Sequence, residues 1–341
     1  RLSFLMMKKH KILITFLTFL SLGSCMKSEE ADLVVFNADI HTMDESNSVA
    51  EAMAIRDGEI LECGPDRQIL NKYAYAESID AGGKEVYPGF IDAHGHLMSY
   101  AELLLSADLV GCTSQQDMVQ RVKHYQHKSN KPVLVGMGWD QSLWANNEFP
   151  DNVLLNEVFP KTPVCLYRID GHSALLNNAF IKLLGEFDVP DGGAVLKNTK
   201  GEYTGLFVDA ALQLLEGFMP KFPNAEMKMK LLQVQEELFT YGVTGVHEAG
   251  VDADQRDLLI DMVNTKSLSL NVYAMLSPSD ANKEFAKENG VYKNKNILIR
   301  SFKAYVDGAL GSRGALLKEP YHDHPNYKGL SLSSMEELES L

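Results

Sequence analysis

The sequence predicts an α/β protein built on parallel strands, preceded by a small β-sandwich or part of one and interrupted by an inserted subdomain. Three observations carry this. Residues 226–307 alternate apolar runs of strand length with amphipathic helical stretches. Such repetition implies parallel strands joined by right-handed crossovers, and a barrel fits at least as well as an open sheet. Residues 31–87 are short strands and turns, and between 106 and 225 the strand–helix rhythm breaks around a Gly-rich hairpin at 191–205.

Taken in order, residues 7–25 read as a secretion signal. Lys8, Lys9 and Lys11 precede an apolar run from Ile12 to Leu22 that is too short to span a bilayer comfortably. Leu22-Gly23-Ser24-Cys25 then resembles a bacterial lipobox, and the polar Lys27-Ser28-Glu29-Glu30 follows. Residues 1–25 are therefore expected to be a lipoprotein signal peptide with Cys25 as the lipid attachment site. The protein would then be an exported bacterial lipoprotein, periplasmic or cell-surface, and membrane-anchored through that lipid alone. An ordinary signal peptide cleaved nearby is the alternative.

Residues 26–87 form the N-terminal part of the sandwich. Strands are expected at 32–36, 52–55 and 60–63, with turns at 56–59 and 79–84. His41 lies in a polar edge segment and is expected to be simply exposed. Residues 88–105 hold a strand ending in His94-Gly95-His96, then a helix at about 99–105. Residues 106–225 are the inserted subdomain. Alternation resumes with helix 226–240, whose Leu231, Val234 and Leu238 line one face and whose end is marked by Gly242. Strand 242–248, helix 254–264, strand 270–276, helix 279–289 and strand 297–307 follow. The chain begins with Arg1 and stops at Leu341 in what reads as the opening of a helix, so a partial reading frame is expected.

With 341 residues, 45% of them hydrophobic and 23% charged, the chain has an ordinary globular composition. Its net charge is −14, and residues 1–24 carry four basic and no acidic residues, so the remainder stands at −18. That balance argues against nucleic acid or an anionic membrane surface as a partner. Cys63, Cys112 and Cys165 show neither C-x-x-C nor zinc-ribbon spacing and are expected to be small buried apolar residues.

Candidate chemistry begins at Pro88-Gly89-Phe90-Ile91-Asp92-Ala93-His94-Gly95-His96. On an extended chain, His94 and His96 emerge on one side, where two imidazoles can bind one divalent ion and Gly95 lets the backbone pass close to it. H-x-H alone is a common pattern, and its place at the end of an apolar strand strengthens it. In strand 300–307, Ser301, Lys303, Tyr305 and Asp307 share one face. Inside a parallel barrel that face is interior, so Lys303 pairs with a carboxylate such as Asp307, loses its proton, or is carbamylated into an anionic metal ligand. Arg313, in the loop Gly308-Ala309-Leu310-Gly311-Ser312-Arg313-Gly314, could hold a substrate carboxylate or oxyanion; a solvated turn Arg is the alternative. His172 follows Asp170 at a strand end and is either a substrate-facing or a hydrogen-bonded structural histidine. One of His247 and Glu248 is expected to point into the mouth, with Glu248 a further ligand candidate. His322-Asp323-His324, His124 and His127 read as surface groups. Trp139 and Asp140 line the pocket or fill the core.

Four motifs occur in order: Phe90 through His96, Arg168-Ile169-Asp170-Gly171-His172, Gly242-Val243-Thr244-Gly245-Val246-His247-Glu248, and Lys303 through Arg313. From about residue 31 onward the chain resembles the amidohydrolase superfamily, in the family 3 branch that includes N-substituted formamide deformylases. The resemblance implies a metal-dependent (β/α)8 TIM-type barrel, incomplete here, with a β-sandwich built from both chain ends; residues 226–341 would then hold strands two to four and the segment after them. It implies His94 and His96 as metal ligands, with Lys303 as the bridging or direct ligand of a fourth strand. The catalytic assignments are Lys303, His172 and Arg313. Further histidines and a catalytic Asp of that family come from later strands than this sequence contains, so the fragment alone is expected to be inactive.

The implied cofactor is a divalent metal, zinc or alternatively iron or manganese, as one or two ions. The implied reaction is hydrolysis of an amide or formamide C–N bond in a small molecule by metal-activated water. Two other functions remain open: deamination of a ring on the same scaffold, and a surface-anchored binding lipoprotein without catalysis.

Overall fold

The computed structural model describes residues 29–129 and 131–340; the expected signal segment and Cys25 lie outside them. The chain divides into one unit up to Gly89 and a second from Phe90 onward. Among the described residues no helix is long and apolar enough to cross a membrane.

In the first unit, β1 (Glu29–His41) is the spine. It runs antiparallel to β2 (Val49–Ala50) and β3 (Ala52–Arg56), while β4 (Glu59–Gly64) adds outside β3. The β3–β4 hairpin turns on Asp57 and Gly58, both at positive φ (54° and 78°), as a two-residue turn with matching twist requires. Helix α1 (Asp66–Lys72), in a stretch where no helix is expected, lays Ile69 against Val34 and Ala54. Residues 79–84, expected as a turn, instead lie inside β5 (Tyr73–Val86), which pairs in parallel with β1. The register shifts between Phe36 and Ala38, so the glycines form a bulge, with Asp80 accepting the Gly82 N–H at 2.9 Å. His41 is not merely exposed: its ring stacks on Tyr87 at 4.4 Å and bonds Glu85. Cys63 is only partly buried, whereas Cys112 and Cys165 in the second unit are buried.

The second unit opens with β6 (Phe90–Gly95) and α2 (Leu97–Leu103). The inserted subdomain follows. Its strands are β7 (Ala107–Asp108), β8 (Leu134–Trp139), β9 (Val164–Arg168), β10 (Ser173–Leu176), β11 (Gly193–Lys197) and β12 (Tyr203–Asp209), ordered β11-β12-β10-β9-β8-β7. Strand residues alternate between two buried layers: Leu166, Leu206 and Val208 face Trp139 and Leu155, while Cys165 and Phe207 face Phe180 and Leu215. Burial on both faces explains why these strands read as unbroken apolar runs.

The alternation then resumes as α3 (Asn224–Thr240), β13 (Val243–Val251), α4 (Ala253–Asn264), β14 (Asn271–Leu276), α5 (Asp280–Asn289), β15 (Tyr292–Asn294) and β16 (Ile297–Phe302). The sheet order is β15-β16-β14-β13-β6, with β6, β13, β14 and β16 parallel and β15 antiparallel to β16. Val246, Val272, Ala274, Ile297 and Ile299 pack against Leu231 of α3 and Leu259 and Met262 of α4. Each of those three helix residues is fully buried, worth about 1.5–3 kcal/mol apiece relative to exposure. Helix α4 is started by a capping box between Asp252 and Gln255.

This is a mixed α/β fold, and its parallel strands do not close into a ring among the described residues. One expected element is shorter than predicted. The strand 297–307 ends at Phe302, because its neighbour β14 ends at Leu276; the Lys303 N–H to Leu276 carbonyl bond, 2.9 Å, is the last between them. Lys303 therefore sits just past the C-terminal edge of the sheet rather than inside a strand.

Candidate metal centre

The His94–His96 pair stands at the C-terminal end of β6. Asp92 Oδ1 accepts the His94 N–H at 3.0 Å and shapes the strand end. Both rings are exposed, and their centroids lie 5.3 Å apart, edge to face. Gly95 serves packing: a Cβ there would stand 2.5 Å from Val246 Cγ1, so only glycine lets β6 and β13 approach this closely. His96 titrates below the usual imidazole range through partial burial, then the His94 and Lys303 charges, while a hydrogen bond with the Ala249 carbonyl opposes the shift. A backbone carbonyl on one ring nitrogen is the outer-shell support that metal-ligating histidines use. The pair fits a divalent ion as part of a ligand set; among the described residues no group of three or more His, Cys, Asp or Glu converges as a complete one.

Lys303 lies beside this pair electrostatically, since its charge is felt by both His96 and His172. Its ammonium sits 4.9 Å from the Tyr305 ring centroid. The alternative partner, Asp307, instead accepts the Leu316 N–H at 2.8 Å. A Cβ at Gly250, near the end of β13, would stand 3.4 Å from Tyr305 Oη and 3.9 Å from Lys303 Cγ, which places both at the C-terminal rim of the sheet.

Of His247 and Glu248, the histidine faces the open side of the sheet, its ring 4.9 Å from that of Tyr273. Tyr273 in turn bonds Ser301 at 2.7 Å. Glu248 points the other way. It is 3% exposed and accepts the N–H groups of Leu97 and Met98, so it holds the start of α2 directly after His96. Its carboxylate oxygens are thereby occupied, which argues against the ligand role considered for it. Burial pushes its pKa up from 4.5 to about 7, against the two N–H bonds. The folded state then binds the proton more tightly than the unfolded chain, so stability falls as pH rises from about 4.5 to about 7. We expect Glu248→Gln to remove most of a roughly 3 kcal/mol dependence across that window. Urea titrations at several pH values, in chelator, check this; an unchanged slope counts against it.

The inserted subdomain contributes the motif Arg168 to His172. Arg168, 6% exposed, donates to Asp140 (2.7 Å), Asp170 (2.6 Å) and Gln141 (2.8 Å). Asp170 uses its other oxygen to accept the His172 N–H at 3.0 Å. Asp209, at the end of β12, places Oδ1 2.8 Å from His172 Nδ1. That bond holds His172 above the usual imidazole range, against its own burial and the Lys303 charge. The His172 ring lies 6.1 Å from Tyr305, edge to face, so the subdomain delivers it to the same rim as Lys303. Asp209 went unnoticed in the sequence, where nothing marks it as a partner of a residue 37 positions away.

Arg313 donates through Nε and Nη2 to Asp323 at 3.1 and 2.8 Å and stacks 4.8 Å over Phe149, so a carboxylate of the chain itself takes part of the donor face expected to hold a substrate anion. Trp139 is fully buried and donates to the Leu166 carbonyl, which makes it core. A cleft of about 910 Å³ opens between α2, α3, α4 and the inserted sheet, lined by Met98, Glu102, Met137, Phe222 and Asp252. It is lined by none of the candidate ligands, which stand at the sheet rim instead.

This mixed α/β fold is shared with a metal-dependent hydrolase: a solved structure of an uncharacterized one from Pyrococcus horikoshii OT3 aligns with 90% of this chain at TM-score 0.65 and 26% identity, over 61% of its own length. Residues 77–341 match the amidohydrolase family. The chain belongs to the amidohydrolase superfamily, in its family 3 branch. Protein LONG AFTER FAR-RED 3 of Arabidopsis thaliana is 30% identical over 325 residues, 90% of this chain and 56% of that protein. The N-substituted formamide deformylase of Arthrobacter pascens is 29% identical over 241 residues, 67% of this chain and 44% of that protein. The chain thus spans about half the length of the curated relatives it matches.

Proposed function

We propose that the protein is a metal-dependent amidohydrolase that hydrolyses a C–N bond of amide or formamide type in a small molecule. The observation that carries this reading is the meeting, at one rim, of the His94–His96 pair with Lys303 and with His172 from the inserted subdomain. His94 and His96, with Lys303 beside them, would hold the divalent ion, zinc or else iron or manganese. Such an ion supplies Lewis acidity toward the carbonyl and lowers the pKa of water. The chain's own part is to orient these donors: the Ala249 carbonyl steadies His96, Glu248 fixes the backbone after it, and Asp209 steadies His172. The similarity to an N-substituted formamide deformylase supports the choice of bond. We further propose a barrel closed by strands beyond those described, and export as a lipoprotein anchored at Cys25.

The purified protein carrying the strands that close the barrel, stripped and reloaded with Zn, Mn or Fe, is expected to release amine from N-substituted formamides or simple amides only when loaded. Loss of turnover on chelation and its return on reloading support the reading. Ammonia released from purine or pterin rings with every amide untouched would replace it with ring deamination, and failure to take up any of the three metals would end it.

A further inference from the structure

Asp209 is tied twice to one residue. Its N–H donates to the His172 carbonyl at 2.8 Å, and its Oδ1 stands 2.8 Å from His172 Nδ1. Its side chain is 0% exposed, and Oδ2 is buried with no hydrogen-bond partner among the described residues. The backbone sits at φ 51°, ψ −123°, a conformation strained for any residue with a side chain.

Carboxylates that brace this region look different. Asp170 is bonded through one oxygen by the His172 N–H and through the other by Arg168, and Glu248 takes one backbone N–H on each oxygen. Asp209 has a single side-chain partner, an unbonded buried oxygen and a strained backbone. Each of these is costly, and such features persist where the surroundings over-determine them. Here the surroundings are the loop that carries Lys303 and Tyr305. It passes the carboxylate with Gly308 and Gly314, where a Cβ would stand 2.5 and 2.1 Å from Oδ2. The two glycines leave room for Asp209, and the loop is shaped around it. With Nδ1 engaged, Nε2 remains on the far edge of the imidazole, whose ring is packed edge to face with Tyr305.

We propose that Asp209 is a positioning residue that holds His172 as the Nδ1–H tautomer, so that Nε2 exchanges a proton with the nitrogen of the scissile C–N bond. The identity of that nitrogen rests on the amidohydrolase reading; the tautomer does not. In the step, Nε2 takes one proton of the attacking water as its hydroxyl bonds to the carbonyl carbon, and then gives that proton to the departing nitrogen, which takes the C–N electron pair and leaves Nε2 unprotonated again. Throughout, Nδ1–H stays with Asp209, as a buried carboxylate does for a proton-transferring imidazole.

The test is ring-nitrogen NMR on the whole chain labelled with ¹⁵N-histidine, with His172 assigned by loss of its signals in His172→Gln. Wild type at high pH is expected to show His172 protonated at Nδ1, and Asp209→Asn to lose that preference. On an N-substituted formamide, Asp209→Asn is expected to lower kcat about 10²-fold with KM within about twofold, and Asp209→Glu to recover part of it. A wild-type His172 protonated at Nε2, or a tautomer or kcat unmoved by Asp209→Asn, overturns the proposal. If Asp209→Asn fails to fold, the wild-type tautomer decides. A locked Nδ1–H in a protein that cleaves no amide supports the pair and counts against the amidohydrolase reading alone.

Discussion

Alanine at both His94 and His96 is expected to abolish binding of a stoichiometric divalent ion while leaving the protein folded. The two rings are exposed, and the strand that carries them is held by its backbone ladder to β13 and by Asp92. Their loss costs the His96 hydrogen bond to the Ala249 carbonyl and opens little buried space, so the change in stability should stay within about 1.5 kcal/mol. Affinity should fall by far more than the roughly 10–100-fold that follows from altering an outer-shell partner, since the donors themselves are removed. Metal content after gel filtration, together with thermal melting of the stripped protein, reads both effects. A double variant that keeps its full complement of metal would refute the assignment of this pair.

Arg168→Ala should be the most damaging single change to the fold of the subdomain. The guanidinium is 6% exposed and neutralises two carboxylates that are themselves largely buried, Asp140 at 21% and Asp170 at 18%. Removing one member of a buried ion network leaves the others charged and unpaired, a loss of about 3–5 kcal/mol. The damage should spread to the rim, because Asp170 also holds the His172 N–H and because Gly311 packs against the guanidinium, where a Cβ would stand 2.7 Å from it. Urea unfolding measures the loss, and a change under 1 kcal/mol would mean that the network is not the brace described. Restoring Asp140 and Asp170 to neutrality with Asn in the Arg168→Ala background should return part of the stability, since the uncompensated charge is then gone.

Much of the second unit was legible in the chain. Helix 226–240 is observed as Asn224–Thr240, helix 254–264 as Ala253–Asn264, and strand 270–276 as Asn271–Leu276. These elements carry their own periodicity, caps and terminal glycines, all encoded within a few residues. The first unit was less legible: α1 and the bulge in β5 depend on β1, which lies tens of residues away in sequence. The same division runs through the candidate site. The His94–His96 spacing and the Arg168–His172 motif stand out as local patterns of metal-binding and turn-forming residues. What those residues do was decided elsewhere. Glu248 became a brace for α2 because Leu97 and Met98, 151 and 150 positions away, offer it two N–H groups. Lys303 moved to the rim because β14 ends at Leu276. Arg313 is tied to Asp323 and Phe149, and Asp209 entered the site because β12 runs beside β10. The sequence by itself determined the alternation, the family and the imidazole pair, since each is written in short-range spacing. Only the tertiary structure decided which carboxylates brace and which one faces an imidazole, because burial and the pairing of charges depend on neighbours brought together by packing.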